Sequence, residues 1–125
     1  MYLTVSVNPS TADRYFTPTG FSANLRSTES SISNISAYAP GFAGTITELH
    51  ATADVNTSDA TQVYHLYINN VDSGLSVGLP NGGKHASVTG LSTAFTATDA
   101  IGWYNPAGAS STAAPVDLTI RITES

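Results

Sequence analysis

Three histidines, one Gly-x-Ser-x-Gly run, one acidic loop and a few aromatic rings are the parts of this 125-residue chain that could do chemistry. His50, His65 and His85 could converge on a metal ion. His50 with Glu48 would share one face of a strand, but that offers two ligands where a zinc site takes three or four. A His-x-His pair, which would put two imidazoles on one strand face, is missing. The histidines therefore read as residues of a sheet surface, with no metal. Gly74-Leu75-Ser76-Val77-Gly78 matches the nucleophile elbow of hydrolases, in which a strand turns sharply into a helix and lifts the serine out of the sheet. Here the run lies inside an alternating strand that leads to a tight turn, so the match is a coincidence. Asp54-Val55-Asn56-Thr57-Ser58-Asp59 begins like a calcium loop. Asp59 stands where such a loop needs glycine, and His65 where it needs a bidentate glutamate. It reads as a solvated turn. No coherent acid, base and nucleophile set emerges, so the expectation is a protein that is not an enzyme and carries no cofactor.

The aromatic residues point elsewhere. Trp103-Tyr104-Asn105-Pro106 ends a strand on two large rings, and Tyr2, Tyr15 and Phe16 lie near the start. Aromatic side chains dominate interface energetics, which makes Tyr2, Tyr15, Phe16, Trp103 and Tyr104 the candidate interface residues. Alternation turns Ile101 and Trp103 to one side and Tyr104 to the other. Trp103 is then core or subunit contact, and Tyr104 the more exposed ring.

These residues must be positioned by strands. Leu3, Val5 and Val7 alternate with Tyr2, Thr4 and Ser6 until Asn8-Pro9-Ser10 breaks the run. Arg14 to Thr17 is a second short candidate, ended by Pro18-Thr19-Gly20. Phe21 to Phe42 mixes Ser, Asn and Ala with isolated Leu25, Ile32, Ile35 and Tyr38, and reads as a long connection with one or two short strands. Thr45 to Asp54 is a strand with a bulge, because Ile46 and Leu49 share a face only if one residue is extra. Gln62 to Asn69 follows. Asn69-Asn70 and Asp72-Ser73-Gly74 turn the chain into a strand whose inward face is Leu75, Val77 and Leu79. Pro80-Asn81-Gly82-Gly83 predicts a hairpin, since Asn and Gly accept positive φ. His85 to Leu91 and Ala94 to Tyr104 are two more strands, Asn105 to Pro115 is a loop, and Val116, Leu118, Ile120 and Ile122 alternate in the last strand. The sum is an all-β, single-domain chain over residues 1–125: a jelly-roll β-sandwich of about eight antiparallel strands, with residues 1–43 as an N-terminal arm or elaborated edge.

Composition narrows the function. Charged residues supply 10% of the chain, against roughly 25% in an ordinary soluble domain. Thirty-three Ser and Thr residues take their place, giving a polar, weakly charged surface that loses little when a partner covers it. The formal net charge is −5 and the four fixed cations, Arg14, Arg26, Lys84 and Arg121, are scattered, which speaks against nucleic-acid binding. There is no cysteine, so disulfide and thiolate chemistry are excluded. The start, MYLTVSVNPS, lacks the pattern of a signal peptide, no run reaches the length of a membrane span, and the sequons at Asn34 and Asn56 read as chance.

From Tyr38 onward the chain resembles a known family. Tyr38-Ala39-Pro40-Gly41-Phe42-Ala43-Gly44-Thr45-Ile46 leads to Leu49. Tyr64-His65-Leu66-Tyr67-Ile68-Asn69-Asn70 leads to Leu75-Ser76-Val77, and Phe95-Thr96-Ala97-Thr98-Asp99-Ala100-Ile101 precedes the last strand. The order is similar to the jelly-roll domains of tailed-bacteriophage virion proteins. Two positions depart from it: Asn70 and Thr98 stand where the family has glycine. The resemblance implies a virion surface protein, a capsid decoration (cement) protein or a tail-fibre knob, commonly a homotrimer. The short chain, without heptads for a fibre shaft, leads us to expect decoration: a homotrimer, made in the host cytoplasm, that docks on the major capsid protein. The rival expectation is a receptor- or glycan-binding module of a tail fibre.

Overall fold

In the computed structural model, residues 1–7, 14–16, 20–22, 40–56, 61–69, 71–106 and 116–125 are described, 14–16 and 20–22 by their backbone alone. The strands are β1 (Tyr2–Val7), β2 (Arg14–Phe16), β3 (Gly20–Ser22), β4 (Gly44–Ala53), β5 (Gln62–Ile68), β6 (Val71–Leu79), β7 (His85–Val88), β8 (Thr93–Phe95), β9 (Ile101–Asn105) and β10 (Val116–Glu124). The described chain is all-β, as expected, but in ten strands rather than eight. Sheet I runs β3-β1-β10-β4-β7, with β8 also on β4, and sheet II runs β2-β9-β5-β6. All pairings are antiparallel except β1 with β3. The pairs β1–β10, β2–β9, β4–β7 and β5–β6 are nested along the chain.

Period-two alternation builds the core. Leu3, Val5 and Val7 from β1 and Val116, Leu118, Ile120 and Ile122 from β10 point inward from sheet I. Tyr64, Leu66, Val77, Leu79, Ile101 and Trp103 meet them from sheet II in one apolar cluster. Residues 2–7 are therefore not an arm. β1 lies between β3 and β10, and the Met1 amine donates to the Ile122 carbonyl at 3.0 Å while Ile122 N–H donates to Met1 O at 2.8 Å. Most of the connection expected after Phe21 falls outside the described residues.

The bulge in β4 is where the apolar spacing requires it. Arg121 pairs with Glu48 and Ile122 with Ile46, so Thr47 is the extra residue and Ile46 and Leu49 both become fully buried. Two expectations need correction. Pro80–Gly83 does form a turn, closed by Gly83 N–H to Pro80 O at 2.9 Å. Its flanks, β6 and β7, belong to different sheets, so it is a corner of the sandwich and not a hairpin. Ala94 to Tyr104 is two strands, because Asp99 folds back to accept the Thr96 N–H at 2.8 Å and redirects the chain from sheet I to sheet II.

Candidate functional site

β5 turns Tyr64 and Leu66 into the core and His65 and Tyr67 out, and β9 does the same with Trp103 and Tyr104. In register, His65 faces Tyr104 and Tyr67 faces Gly102. Because Gly102 has no side chain, Tyr67 and Tyr104 meet diagonally, ring centroids 5.5 Å apart and planes at 57°. The His65 ring lies 6.3 Å from that of Tyr104. Both tyrosines are half-buried.

An acid completes the group through a second bulge. Leu66 pairs with Leu75 but Tyr67 pairs with Asp72, which leaves Ser73 and Gly74 extra on β6. Local hydrogen bonds hold the bulge: Ser73 Oγ donates to Leu66 O at 2.6 Å, Gly74 N–H to Asp72 Oδ1 at 2.9 Å and Leu75 N–H to Ser73 Oγ at 3.2 Å. Gly74 has φ of 82°, which favours glycine at that position. The result is that Asp72 Oδ2 stands 3.6 Å from His65 Nδ1. Burial first and the Asp72 charge second hold the Tyr67 phenol above its ordinary pKa.

Sheet I presents a different outer face, in cross-strand rows. Tyr2, 58% exposed, faces Arg121, which faces Glu48. The guanidinium lies 5.9 Å from the Tyr2 ring centre and its Nη1 3.2 Å from Glu48 Oε1. Glu48 Oε2 in turn stands 3.3 Å from His50 Nε2. The histidine contact above all, and then Arg121, hold the Glu48 carboxyl below its ordinary value. Thr4, Thr119, His50 and Ser87 form the next row, and Ser6, Asp117, Thr52 and His85 the one after. Ser6 Oγ donates to Asp117, and Thr52 Oγ1 is 3.0 Å from His85 Nδ1.

The expected interface residues are thus divided between the sheets. Tyr2 lies on the outer face of sheet I. Tyr15 and Phe16 pair in register with Tyr104 and Trp103, so two aromatic pairs far apart in sequence become neighbours in sheet II. Trp103 is 0% exposed and is a core residue, with no surface left for a subunit contact. Sequence reasoning weighed His65 only as a metal ligand and passed over Tyr67 and Asp72 as site residues. The outward alternation of the first two was visible, but their meeting with Asp72 depends on the β6 bulge. Ser76 of the elbow-like run sits mid-strand opposite His65. Among the described residues no three metal-ligating side chains gather, and no helix is long and apolar enough to cross a membrane.

Among the described residues, three buried polar atoms lack a hydrogen-bond partner: Tyr64 Oη, Trp103 Nε1 and Asn105 Oδ1. Burial pushes the Tyr64 phenol up. The Asn105 amide is anchored on its other side by a 2.8 Å bond to Val63 O.

These features define a two-sheet β-sandwich with a hydroxyl-rich face on one side and an aromatic one on the other. Among known proteins the chain matches no family model, no curated sequence and no solved structure.

Proposed function

We propose that this chain is a capsid decoration protein: a jelly roll that docks as a homotrimer on the outside of a phage head, against the major capsid protein, and reinforces the shell. The nesting of β1–β10, β2–β9, β4–β7 and β5–β6 supports the jelly-roll part of the reading, because winding one long hairpin into two sheets yields that order. The observation that carries the reading is that the three segments resembling virion proteins interlock. Gly44 of the first pairs with Phe95 of the third. Asn69 of the second donates to Asp99 of the third at 2.7 Å and accepts the Ala100 N–H at 3.0 Å. The hydroxyl rows of sheet I favour docking on physical grounds. Their one strong cation, Arg121, is already compensated by Glu48, so covering the face strands few ions. Three modest contacts acting on a symmetric site then give strong attachment.

Light scattering coupled to size exclusion, followed by co-sedimentation with undecorated heads, tests this. The expected result is a mass about three times 12.9 kDa and saturable binding to heads. A monomer that leaves heads bare overturns the proposal.

A further inference from the structure

We propose that the outer face of sheet II binds a neutral glycan, with Tyr67 and Tyr104 stacking on a pyranose ring and His65 and Asp72 bonding its hydroxyls. This inference rests on the β5–β6–β9 geometry and not on the virion reading.

The tyrosines form a platform rather than a cage. With centroids 5.5 Å apart and planes at 57° the rings touch at an angle, so no ligand fits between them and one must lie against their outer faces. A pyranose suits such a surface. Its C–H face is weakly positive, complementary to the negative face of an aromatic ring, and its rim carries hydroxyls. Gly102, opposite Tyr67, adds no side chain of its own to the platform.

The hydroxyl partners are placed by construction. In a regular ladder Gly74 would face Tyr67. The two-residue bulge brings Asp72 there instead, at the cost of local pairing and of a positive φ at Gly74. Bulges that re-aim one side chain are common beside binding sites. Only Asp72 Oδ1 is used inside the bulge. Oδ2 faces His65, and the carboxylate is about half-exposed, at 47%. An acceptor beside an imidazole that can both donate and accept matches a pair of vicinal hydroxyls.

Charge excludes the other planar ligands. A nucleotide base would stack as well, but its phosphates would meet Asp72 on a chain whose formal net charge is −5. A purely apolar peptide segment would bury the Asp72–His65 pair without satisfying it.

The test is amide-resolved NMR titration of the full chain with chitotriose, maltotriose, laminaritriose, mannotriose and lactose at millimolar concentration, with tetramethylammonium as the cationic control. At least one sugar is expected to shift the amides of His65, Tyr67, Asp72 and Tyr104 saturably, while those of Val5, Leu49 and Ile120 stay put. Tyr67→Ala and Tyr104→Ala should each weaken that binding roughly tenfold, and Asp72→Asn by a similar factor. Tyr67→Phe, which keeps the ring, should bind within about twofold of the parent and guards against misfolding of the alanine variants. Silence from all five sugars, a response to tetramethylammonium alone, or undiminished binding in a folded Tyr67→Ala variant each overturns the proposal. Native mass measured on the same samples reports separately on the trimer.

Discussion

Gly44 opens β4 where β10 and β8 both pair with it, opposite Glu124 and Phe95. Its φ is not positive, so the demand for glycine is one of space. A Cβ built there would lie 2.9 Å from Ile122 Cγ2, 2.9 Å from the Thr123 carbonyl oxygen and 3.0 Å from Phe95 Cζ. Relaxed carbon contacts are about 3.5–4.0 Å. Ile122 and Phe95 are buried at 1% and 3% exposure, and the Thr123 oxygen is backbone, so none of the three can swing aside freely. Overpacking of this kind costs about 1–3 kcal/mol, and Gly44→Ala belongs in the upper part of that range, about 2–3 kcal/mol. Unfolding entropy of about 2.1 cal/mol/K per residue over 125 residues converts this to a Tm lowered by roughly 8–11 °C. Gly78 in β6 is the control. A Cβ there meets Thr61 Cγ2 at 3.1 Å and Val63 Cγ2 at 3.9 Å, and Thr61 is exposed and free to give way. Removing a glycine from a strand gains about 0.5–1 kcal/mol, so Gly78→Ala should leave Tm unchanged or raise it by about 2–4 °C. Thermal and urea unfolding followed by circular dichroism read both variants. A loss below about 0.5 kcal/mol for Gly44→Ala, or equal losses for the two, would refute the packing argument.

Tyr64→Phe removes a buried hydroxyl that has no hydrogen-bond partner among the described residues and should stabilise the fold by about 1 kcal/mol. A urea midpoint that falls instead shows that the hydroxyl is satisfied. Asn69 sits at φ 53°, so Asn69→Ala and Asn69→Gly lose the same side-chain bonds but only alanine carries the left-handed cost, about 1–2 kcal/mol. Equal urea midpoints for the two would contradict this. The Thr96 N–H, and then the Asn69 amide, hold the Asp99 carboxyl below its ordinary 3.8. A depressed folded value means stability that is complete above 3.8 and is lost as pH falls through the lower folded value. Asp99→Asn should therefore flatten the acid limb of the urea midpoint below pH 3.8, and superimposable limbs for variant and parent would sink the assignment. Glu48, lowered by His50 and then Arg121, acts in the same direction, so Glu48→Gln should flatten what Asp99→Asn leaves.

How legible each element was follows from how local its determinants are. β1 and β10 alternate without interruption and could be read residue by residue. Even the β4 bulge was encoded locally, in the three-residue step from Ile46 to Leu49. The sheet to which a strand belongs is not local. Pro80–Gly83 has the composition of a hairpin turn, yet it joins strands of opposite sheets, because β7 finds its partner in β4. Ala94 to Tyr104 reads as one strand on its flanking aromatic and β-branched residues, yet it is split by Asp99 reaching back to Thr96 and across to Asn69. The aromatic site follows the same division. The outward turn of Tyr104 was readable from alternation, whereas its meeting with Tyr67 and Asp72 depends on β5–β9 register and on a two-residue bulge in a third strand.

The core dictates why the two outer faces can differ so much. With a period of two, every strand that contributes an inward Val, Leu or Ile must also present an outward residue, and nothing in the packing constrains which. On sheet I those outward positions are Thr4, Ser6, Glu48, His50, Asp117, Thr119 and Arg121, which bond one another in rows. On sheet II they include His65, Tyr67 and Tyr104, whose rings meet at tilted angles. A substitution on either face leaves the inward set untouched. The two activities proposed for this chain, attachment to a shell and recognition of a glycan, are accordingly separable. Arg121→Ala, which uncouples Tyr2 and Glu48, should weaken head binding without altering a sugar titration, and Tyr104→Ala should do the reverse. If each substitution impaired both, the faces would have to communicate through a core that their side chains do not enter, and the assignment of one function to each face would fail.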